Sequence, residues 1–374
     1  MNKELLVIRY LNARSLLCHF NEIELMLYDN DIDILCICET WLHSCIDNKF
    51  IKIPNFNVVR FDMGRGGGSC IFICNSFNVK TISLDIDRAD GVDDVWIQVQ
   101  HKKFPSFIIG CVYRHPGAKA PSFYYLSKVF KAICLKNKPV FILGDFNDDL
   151  FIRGNNMIKV INNLSLKQVI DKPTRITPNS STLLDLLITN KREMIVKSEV
   201  LPSPVADHEM ITVVVNIRKP KPEPQTITYR CKKSYSQNIF CNLLLNHSHV
   251  LNNVLHTDNA NSQVTILTET FNKCLDHCAP IITVELTRPF APWIDENLRL
   301  VIAEKNEIQS KLKVDRQNYE LANTFKQVKK STESLLNNAK NKHFKDRFAS
   351  CKGDSGATWG VVKDMMPGLK KNEK

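Results

Sequence analysis

One stretch constrains the fold more than any other: an unbroken apolar segment that ends directly in polar side chains. Residues 138–149 contain this segment, bounded by Pro139 and Gly144. Such a run is typical of a strand buried on both faces, as in α/β proteins. Because residues two apart on a strand point the same way, Asp145 and Asn147 can face one reacting group. The alternative is an Asx turn that merely closes the strand.

Three other predicted strands end in the same manner. The strands Leu5–Leu11, Ile32–Cys38 and Ile108–Val112 are followed by Asn12, by Glu39 and by Tyr113 with Arg114, respectively. Glu39 is a candidate metal ligand because it comes directly after a buried strand, although it could also be a solvated turn carboxylate. Arg114 suits bidentate phosphate contacts, and Tyr113 can give a phosphate one hydrogen bond.

A second carboxylate lies inside an apolar segment. Asp185 is embedded in the predicted strand Ser181–Thr189 and is surrounded by leucines. A carboxylate in that setting is costly unless it is paired, so we expect a histidine or a cation beside it. Asp207 and His208 stand side by side just before the alternating strand Met210–Ile217.

Charge and cysteine content narrow the class of protein. The formal net charge is +11, which indicates a polyanionic partner, either nucleic acid or an acidic membrane surface. The thirteen cysteines are an odd number, and many occupy apolar positions, which favours a reducing, intracellular compartment. The sequence has neither a signal-peptide pattern nor an apolar stretch of about 18 residues, so we expect no secretion and no membrane partner.

The composition changes near residue 218. Three alternating prolines make residues 218–224 a predicted linker between residues 1–217 and residues 225–374. The last part is predicted to be mostly helical and basic, with seventeen Lys or Arg against ten Asp or Glu in residues 296–374. It is either a solvated helical hairpin or a surface that contacts nucleic acid.

Read in chain order, these motifs resemble those of the endonuclease/exonuclease/phosphatase family. The matching positions are Asn12, Glu39-Thr40, Tyr113-Arg114, Gly144-Asp145-Phe146-Asn147, Leu184-Asp185 and Asp207-His208. The local sequences of residues 11–16, 39–42, 113–116 and 184–190 resemble those of the endonuclease of non-LTR (LINE) retrotransposons of the jockey or CR1 kind. The resemblance covers residues 1 to about 217, and residues from about 225 resemble the connector that precedes reverse transcriptase. No polymerase motif occurs, so we expect a fragment of a mobile-element reading frame without reverse transcriptase activity.

The resemblance implies a fold and a cofactor. The fold is a four-layered α/β sandwich, in which two packed mixed β-sheets are flanked by helices, and a mostly helical C-terminal extension follows it. The cofactor is Mg²⁺, with Mn²⁺ as a possible substitute, held by Glu39 directly and assisted by Asn12 or Asp207. Few carboxylates and several waters suit Mg²⁺.

The resemblance also implies roles for the remaining residues. Asp145 would be the base, Asn147 would hold water or phosphate, and Asp185 would orient the imidazole. His208 and Tyr113 would stabilise the negative charge of the transition state, and Arg114 would contact the substrate phosphate. Ala206 departs from the family, which usually has Ser before Asp-His, and is expected to reduce activity.

The expected function is Mg²⁺-dependent nicking of DNA that leaves a 3′-hydroxyl. DNA is the expected partner, element RNA could bind the basic tail, and the nucleus is the expected place of action. Two alternatives stay open. The first is a phosphodiesterase or phosphatase that acts on small phosphate esters, because those branches share the core motifs. The second is an inactive relict that only binds nucleic acid.

Overall fold

The structure is a computed structural model that describes most of the chain. It describes residues 4–29, 32–101, 104–177, 180–203, 205, 207–220, 225–231, 235–286, 292–315, 318–351 and 353–365. The chain forms two compact units: Met1–Lys221 together with Phe290–Lys374, and Pro222–Pro289. The predicted linker 218–224 lies at the first boundary, but residues 221–224 are outside the described residues.

The strands follow one another in short segments. They are β1 Leu5–Asn12, β2 Ile34–Cys38, β3 Phe56–Phe61, β4 Ser69–Cys74, β5 Asn78–Thr81, β6 Val92–His101, β7 Phe104–Arg114, β8 Val140–Asp145, β9 Lys167–Gln168, β10 Arg175–Thr177, β11 Ser180–Thr182, β12 Asp185–Thr189, β13 Ile195–Leu201, β14 Met210–Arg218, β15 Gln225–Arg230 and β16 Ile281–Leu286.

The helices lie between these strands and after them. They are α1 Phe20–Asp29, α2 Pro121–Cys134, α3 Asn156–Asn163, α4 Gln237–Asn246, α5 Ser248–Asn252, α6 Ala260–Cys278, α7 Glu296–Val314, α8 Tyr319–Ser350 and α9 Ser355–Met365.

Two six-stranded mixed sheets form the larger unit. The first has the order β13-β14-β1-β2-β4-β3 and the second β5-β6-β7-β8-β12-β9. The pairs β1/β2 and β7/β8 are parallel, whereas the other paired strands of these sheets are antiparallel. Strand β1 ends at Asn12 and strand β8 ends at Asp145.

Alternation along each strand divides the core into layers. On β1, Leu6, Ile8 and Tyr10 join the cluster between the sheets, whereas Leu11 joins a second cluster on the outer face of the first sheet. This outer cluster contains residues of α1, and Ile294, Leu298 and Leu336 of the C-terminal segment also belong to it. Helices α2 and α3 pack on the second sheet. The four-layered sandwich and the helical C-terminal region expected from the sequence are confirmed.

The long apolar strands were placed within a few residues of their observed bounds, but one prediction needs correction. The strand predicted over Ser181–Thr189 is interrupted, because β11 ends at Thr182 and β12 begins only at Asp185. Asp185 is thus the first residue of a strand rather than an embedded one. No helix within the described residues is long and apolar enough to cross a membrane.

The smaller unit has its own secondary structure. An antiparallel pair, β15 with β16, encloses the helices α4, α5 and α6 in sequence. Arg230 pairs with Asp276 at 2.6 Å within this unit. The basic surplus of the C-terminal part lies outside it, because residues 296–374 belong to the larger unit.

Candidate active site

The polar residues at the strand ends meet at one edge of the sandwich. Asn12 ends β1, Glu39 follows β2, and Asp145 ends β8. Asp185 opens β12 directly opposite Asp145 in the antiparallel register. The two sheets therefore bring together side chains that are 27 to 175 residues apart in sequence, as the hydrogen bonds among them show.

Glu39 is held entirely by neutral donors. Its Oε1 accepts hydrogen bonds from Asn12 Nδ2 at 2.8 Å and from the Tyr113 hydroxyl at 3.2 Å. Its Oε2 accepts one from the indole N–H of Trp41 at 3.2 Å. Among the residues that the structure describes, no cation pairs with this carboxylate, so its negative charge is not neutralised by a side chain.

Asp145 and Asn147 form the Asx turn that the sequence offered as one alternative, and their catalytic role stays a prediction. The backbone N–H of Asn147 donates to Asp145 Oδ1 at 3.0 Å, which is an Asx turn, and Asn147 has a φ of +44°. The same turn places Asn147 in the cleft, while its amide Nδ2 donates to the carbonyl of Arg114 at 2.8 Å. The turn is therefore the device that places the Asn147 side chain, and the two alternatives do not exclude each other.

Arg114 directs its guanidinium toward the loops rather than toward the cleft. Its Nε donates to Ser122 Oγ at 2.8 Å, and its terminal nitrogens donate to the carbonyls of Ala118, Phe146 and Asn147. The group also stacks on a ring, 4.1 Å from the centroid of Phe123. These contacts support a role in holding the Asn147 loop, and the predicted phosphate contact of Arg114 stays a prediction.

Asp185 and His208 form a buried pair. Nδ1 of His208 donates to Asp185 Oδ2 at 2.8 Å and lies 3.7 Å from Asp145 Oδ2. The second oxygen of Asp185 accepts a hydrogen bond from the Tyr10 hydroxyl at 2.8 Å. Thr174 completes the setting, because its Oγ1 accepts from the Asp185 backbone N–H at 2.9 Å. This arrangement fixes the ring and leaves Nε2 of His208 for the cleft.

Burial and charge shift the acidity of both titrating groups. Burial raises the pKa of Asp145 to about 7, and the charge of Asp185 adds to this rise, whereas His208 opposes it. Burial would lower the pKa of His208, but the charges of Asp185, Asp145 and Asp207 outweigh burial and raise the pKa to about 9. His208 is therefore an imidazolium at neutral pH.

Asp207 lies between two arginines. Its Oδ1 pairs with Arg14 at 3.2 Å, and its Oδ2 pairs with Arg175 at 3.3 Å. Burial would raise the pKa of Asp207, but the positive charges of His208, Arg14 and Arg175 lower it below its ordinary value. The carboxylate is thus ionised and already compensated by cations.

These groups border an open cleft of about 790 Å³. Glu39, Tyr113, Asn147, Asp207 and His208 line it, and Asn12, Asp145 and Asp185 contact those residues from behind. Arg14, Arg175 and Lys119 add positive charge around the cleft. A phosphate group can enter such a cleft and meet a cation, an amide and a phenol.

The donor set around Glu39 fits a hard divalent cation. Glu39 is half-buried with only neutral neighbours, and carboxylate and amide oxygens are ligands that Mg²⁺ prefers. Ligand atoms of Asp145, Asp185 and His208 also lie within 4.8 Å of one another. There, however, Nδ1 of His208 carries the proton that it donates to Asp185, so it is not available to a metal.

A further triad of potential ligands is His19, Glu22 and Glu333. Lysines already compensate its carboxylates, because Lys305 lies 3.5 Å from Glu22 and Lys329 lies 3.9 Å from Glu333. The site around Glu39 is the better candidate for a metal.

Most of the site residues predicted from the sequence therefore lie together at this edge of the sandwich. Several residues that contact them were not predicted. The missed ones are Tyr10, Thr174, Arg14 and Arg175, of which Tyr10 had a signal, since it lies two residues before Asn12 on the same face of β1. The others are in loops or at a strand end, where no periodicity marks them. Ala206 lies outside the described residues.

One family of known proteins matches the segment that contains this candidate site. A family model described as "Endonuclease/Exonuclease/phosphatase family" matches residues 10–208, which is more than half of the chain. The matched segment begins at Tyr10 and ends at His208, so it contains the whole cluster of polar residues at the sheet edge. Among curated proteins, no relative of this chain is found.

Several solved structures resemble the chain. The endonuclease domain of TRAS1, a telomere-specific non-LTR retrotransposon, is 15% identical with a TM-score of 0.46, covering 57% of this chain and 100% of that one. An endonuclease/exonuclease/phosphatase family protein from Bacteroides thetaiotaomicron is 17% identical with a TM-score of 0.44, covering 56% and 94%. An AP endonuclease from Archaeoglobus fulgidus is 17% identical with a TM-score of 0.43, covering 57% and 100%.

Proposed function

Because the chain belongs to the endonuclease/exonuclease/phosphatase family, we propose that it is a metal-dependent endonuclease that nicks one strand of DNA, of the kind found in non-LTR retrotransposons. The family consists of metal-dependent hydrolases of phosphodiesters and phosphate esters. The choice of a retrotransposon-type nuclease rests on the sequence motifs at residues 11–16, 39–42, 113–116 and 184–190. The choice of DNA rests on the same motifs and on the formal net charge of +11, which favours a polyanionic substrate.

One observation carries the proposal. Two of the three groups, the imidazolium of His208 and the unneutralised carboxylate of Glu39, line one cleft. The third, the Asp145 carboxylate with a pKa of about 7, lies directly behind them, 3.7 Å from Nδ1 of His208. Each of these supports a separate requirement of phosphodiester hydrolysis: charge stabilisation, proton removal and metal binding. Perturbed titrating groups gathered in a cleft are typical of catalytic sites.

In the proposed reaction, Asp145 accepts a proton from the attacking water while Asn147 orients that water or a phosphate oxygen. The new P–O bond forms as the bond from phosphorus to the 3′ oxygen breaks. The 3′ oxygen leaves as an alkoxide and takes a proton from solvent water, so the products carry a 3′-hydroxyl and a 5′-phosphate. Nε2–H of His208 and the hydroxyl of Tyr113 donate to the negatively charged phosphate oxygens. Burial and the nearby charges of Glu39 and Asp145 raise the pKa of Tyr113 well above its ordinary value, so it remains a donor.

Glu39 is the proposed principal ligand of Mg²⁺ or Mn²⁺, with Asn12 assisting. Asp207, the other predicted assisting ligand, is not part of this proposal, because Arg14 and Arg175 already compensate its charge. When bound, the ion polarises a phosphate oxygen and neutralises charge that develops in the transition state. The carboxylate of Asp185 then acts only through the ring of His208, as a positioning residue. The predicted RNA partner has no further support and is not part of the proposal.

The test is a nicking assay on supercoiled plasmid. With Mg²⁺ we expect open-circular product that a polymerase can extend, and with EDTA we expect none. Asp145→Asn and His208→Ala should each lower the rate by about a hundredfold or more. Parallel assays with inositol phosphates and a small phosphodiester separate the alternatives. Turnover of small esters alone would identify a phosphatase or phosphodiesterase, and DNA binding without any hydrolysis would identify an inactive relict.

A further inference from the structure

A second groove adjoins the cleft, and the C-terminal helices form part of it. This groove, which we call the α8 groove, has a volume of about 520 Å³ and is lined by Arg14, Asp207, His19, Trp41, Phe325 and Lys329, among others. Arg14 and Asp207 line the active-site cleft as well, so the groove continues the cleft. Phe325 and Lys329 lie on α8, outside the residues that match the family.

The hairpin formed by α7 and α8 is anchored to the nuclease core, so the position of the groove wall is fixed. Lys340 on α8 pairs with Glu24 on α1 at 2.8 Å, and Asn337 accepts a hydrogen bond from Asn21 at 2.7 Å. Gln309 on α7 donates to the carbonyl of Ser203. These contacts tie the hairpin to two separate segments of the core.

We propose that the α8 groove is the path of the substrate strand beyond the active site, with Lys329 contacting a phosphate of the DNA backbone outside the scissile position. This inference rests on the proposed function, because it assigns a second part of the chain to the same substrate. It places a binding determinant more than 100 residues beyond the matched family segment, which ends at residue 208.

Chemistry along the groove supports this occupant. Lys329 and Arg14 supply cations, of which Arg14 also pairs with Asp207 at 3.2 Å, and Trp41 and Phe325 supply aromatic surface. A basic path with interspersed aromatic rings is the pattern by which proteins hold a nucleic-acid strand without reading its sequence. Trp41 also connects the groove to the metal-binding candidate, because its N–H is held by Glu39 at 3.2 Å.

Lys329 also has neighbours that a purely structural role would explain. It lies 3.9 Å from Glu333, and its charge is one of those that lower the pKa of the buried Glu22, for which burial acts in the opposite direction. The experiment must therefore separate loss of a phosphate contact from loss of stability. The chain offers a matched control in Lys330, the next residue of α8, which is exposed and does not line the groove.

The experiment compares Lys329→Gln, Lys330→Gln and Lys329→Arg in the full chain. Binding of a short DNA duplex is measured in EDTA over a series of salt concentrations, together with plasmid nicking and hydrolysis of bis(p-nitrophenyl) phosphate in Mg²⁺. We expect Lys329→Gln to weaken DNA binding about fivefold and to reduce the salt slope by about 0.9, the value for one phosphate contact. Hydrolysis of the small diester should be unchanged, because that substrate does not extend to α8.

Lys330→Gln should behave as the parent, and Lys329→Arg should restore most of the binding. Equal salt slopes for the parent and Lys329→Gln would overturn the inference while the nicking activity stood. Equal losses in both glutamine variants would also overturn it, since the effect would then be one of general charge. A fall in melting temperature without a change in DNA binding would assign Lys329 a structural role instead. A parent that hydrolyses only the small diester and does not bind DNA would overturn the proposed function and this inference together.

Discussion

At the scale of single residues, the buried pair of Asp185 and His208 shows how a buried carboxylate raises the pKa of a neighbouring imidazole. Asp185 is fully buried, and both of its carboxylate oxygens accept hydrogen bonds, one from His208 and one from the Tyr10 hydroxyl. The charge of Asp185 and its hydrogen bond raise the pKa of His208 and so hold a proton on the imidazole. The imidazolium is therefore a consequence of the setting of Asp185.

Replacing Asp185 tests this dependence. Asp185→Asn keeps the shape but removes the negative charge, so the pKa of His208 should fall from about 9 toward or below its ordinary value of 6.5. A raised folded-state pKa stabilises the fold below about pH 6.5, and this stabilisation is lost as the pH rises through about 9. The variant should lose this contribution. NMR titration of the imidazole ring in EDTA, with His208→Gln to assign the signal, measures the shift.

An unchanged pKa of His208 in Asp185→Asn would show that other charges hold the proton. Asp145, 3.7 Å from Nδ1, and Asp207, the next residue to His208, would then be the groups responsible.

Arg114 presents two roles that kinetics can separate. Its guanidinium donates to Ser122 Oγ and to the carbonyls of Ala118, Phe146 and Asn147. Arg114→Lys keeps the charge but loses this fork, so the Asn147 loop should shift. If Arg114 acts by positioning, kcat for nicking should fall about tenfold or more with KM nearly constant. A raised KM with an unchanged kcat would instead support the predicted phosphate contact.

The sequence was most informative about this candidate site where a polar side chain terminates a buried strand. Asn12, Glu39 and Asp145 were found in that way, and Asp185 was found because an unpaired carboxylate among leucines is costly. Arg14 could not be assigned a partner, because its ion pair with Asp207 joins segments 193 residues apart. Local patterns carry no information about such distances.

At the scale of secondary-structure elements, β7 and β8 are the central parallel pair that carries Tyr113 and Asp145 to the same edge. Their register pairs Val112 with Gly144 and Tyr113 with Asp145. At Gly144 a Cβ atom would lie 1.9 Å from the carbonyl oxygen of Val112. Since that neighbour is backbone, the clash cannot be relieved by a side-chain rotation.

Gly144→Ala should therefore disturb the strand that places Asp145. We expect a loss of about 2 kcal/mol or more in the free energy of unfolding, as overpacking in a buried strand produces. Gly117→Ala is the matched control, because nothing lies within 4 Å of a Cβ built there. Urea denaturation followed by circular dichroism compares the two variants. Equal stability of both would mean that β7 and β8 separate at low cost.

Strands with continuous apolar runs were predictable, whereas short or exposed strands were not. The strand predicted over Leu5–Leu11 matches β1, which extends only one residue further, to Asn12. Strands β9 and β10 escaped prediction because they are only two and three residues long. Strand β13 has seven residues, but only its first one is buried, so no apolar run marks it. Partners elsewhere in the sheet hold them, and single-sequence patterns do not reveal those partners.

At the scale of the whole molecule, the C-terminal basic segment was considered as a solvated hairpin or as a nucleic-acid surface. Within the described residues, part of its charge is exposed, as at Lys311 and Lys330, but Ile294, Leu298 and Leu336 are buried in the outer cluster of the first sheet. The sequence alone predicted a helical period and could not say which surface the apolar side would cover. The predicted boundaries at 217 and 225 stay predictions, and residues 290–374 belong to the same compact unit as the nuclease core.

A buried ion pair tests whether the C-terminal helices are packed stably on the first sheet. Lys305 on α7 is 3% exposed, and its Nζ lies 3.5 Å from Oε1 of Glu22 on α1, which is 7% exposed. His19 gives Glu22 its other contact, at 3.2 Å. Burial would raise the pKa of Glu22, but the hydrogen bond from His19 and the charges of the nearby cations outweigh burial and lower that pKa. The ion pair therefore contributes stability that is lost as the pH falls through the lowered pKa of Glu22.

Removing one partner should cost more than removing both. Lys305→Met leaves Glu22 as a buried charge with weaker compensation, and we expect a loss of about 3 kcal/mol in the free energy of unfolding at neutral pH. The double variant Glu22→Leu with Lys305→Met should recover most of that loss, because apolar side chains of similar volume replace the pair. Lys311→Met, at an exposed position of the same helix, is the control and should change stability little. If Lys305→Met were as stable as Lys311→Met, α7 would have to leave the core at little cost, and the anchored groove wall inferred for α8 would lose its physical basis.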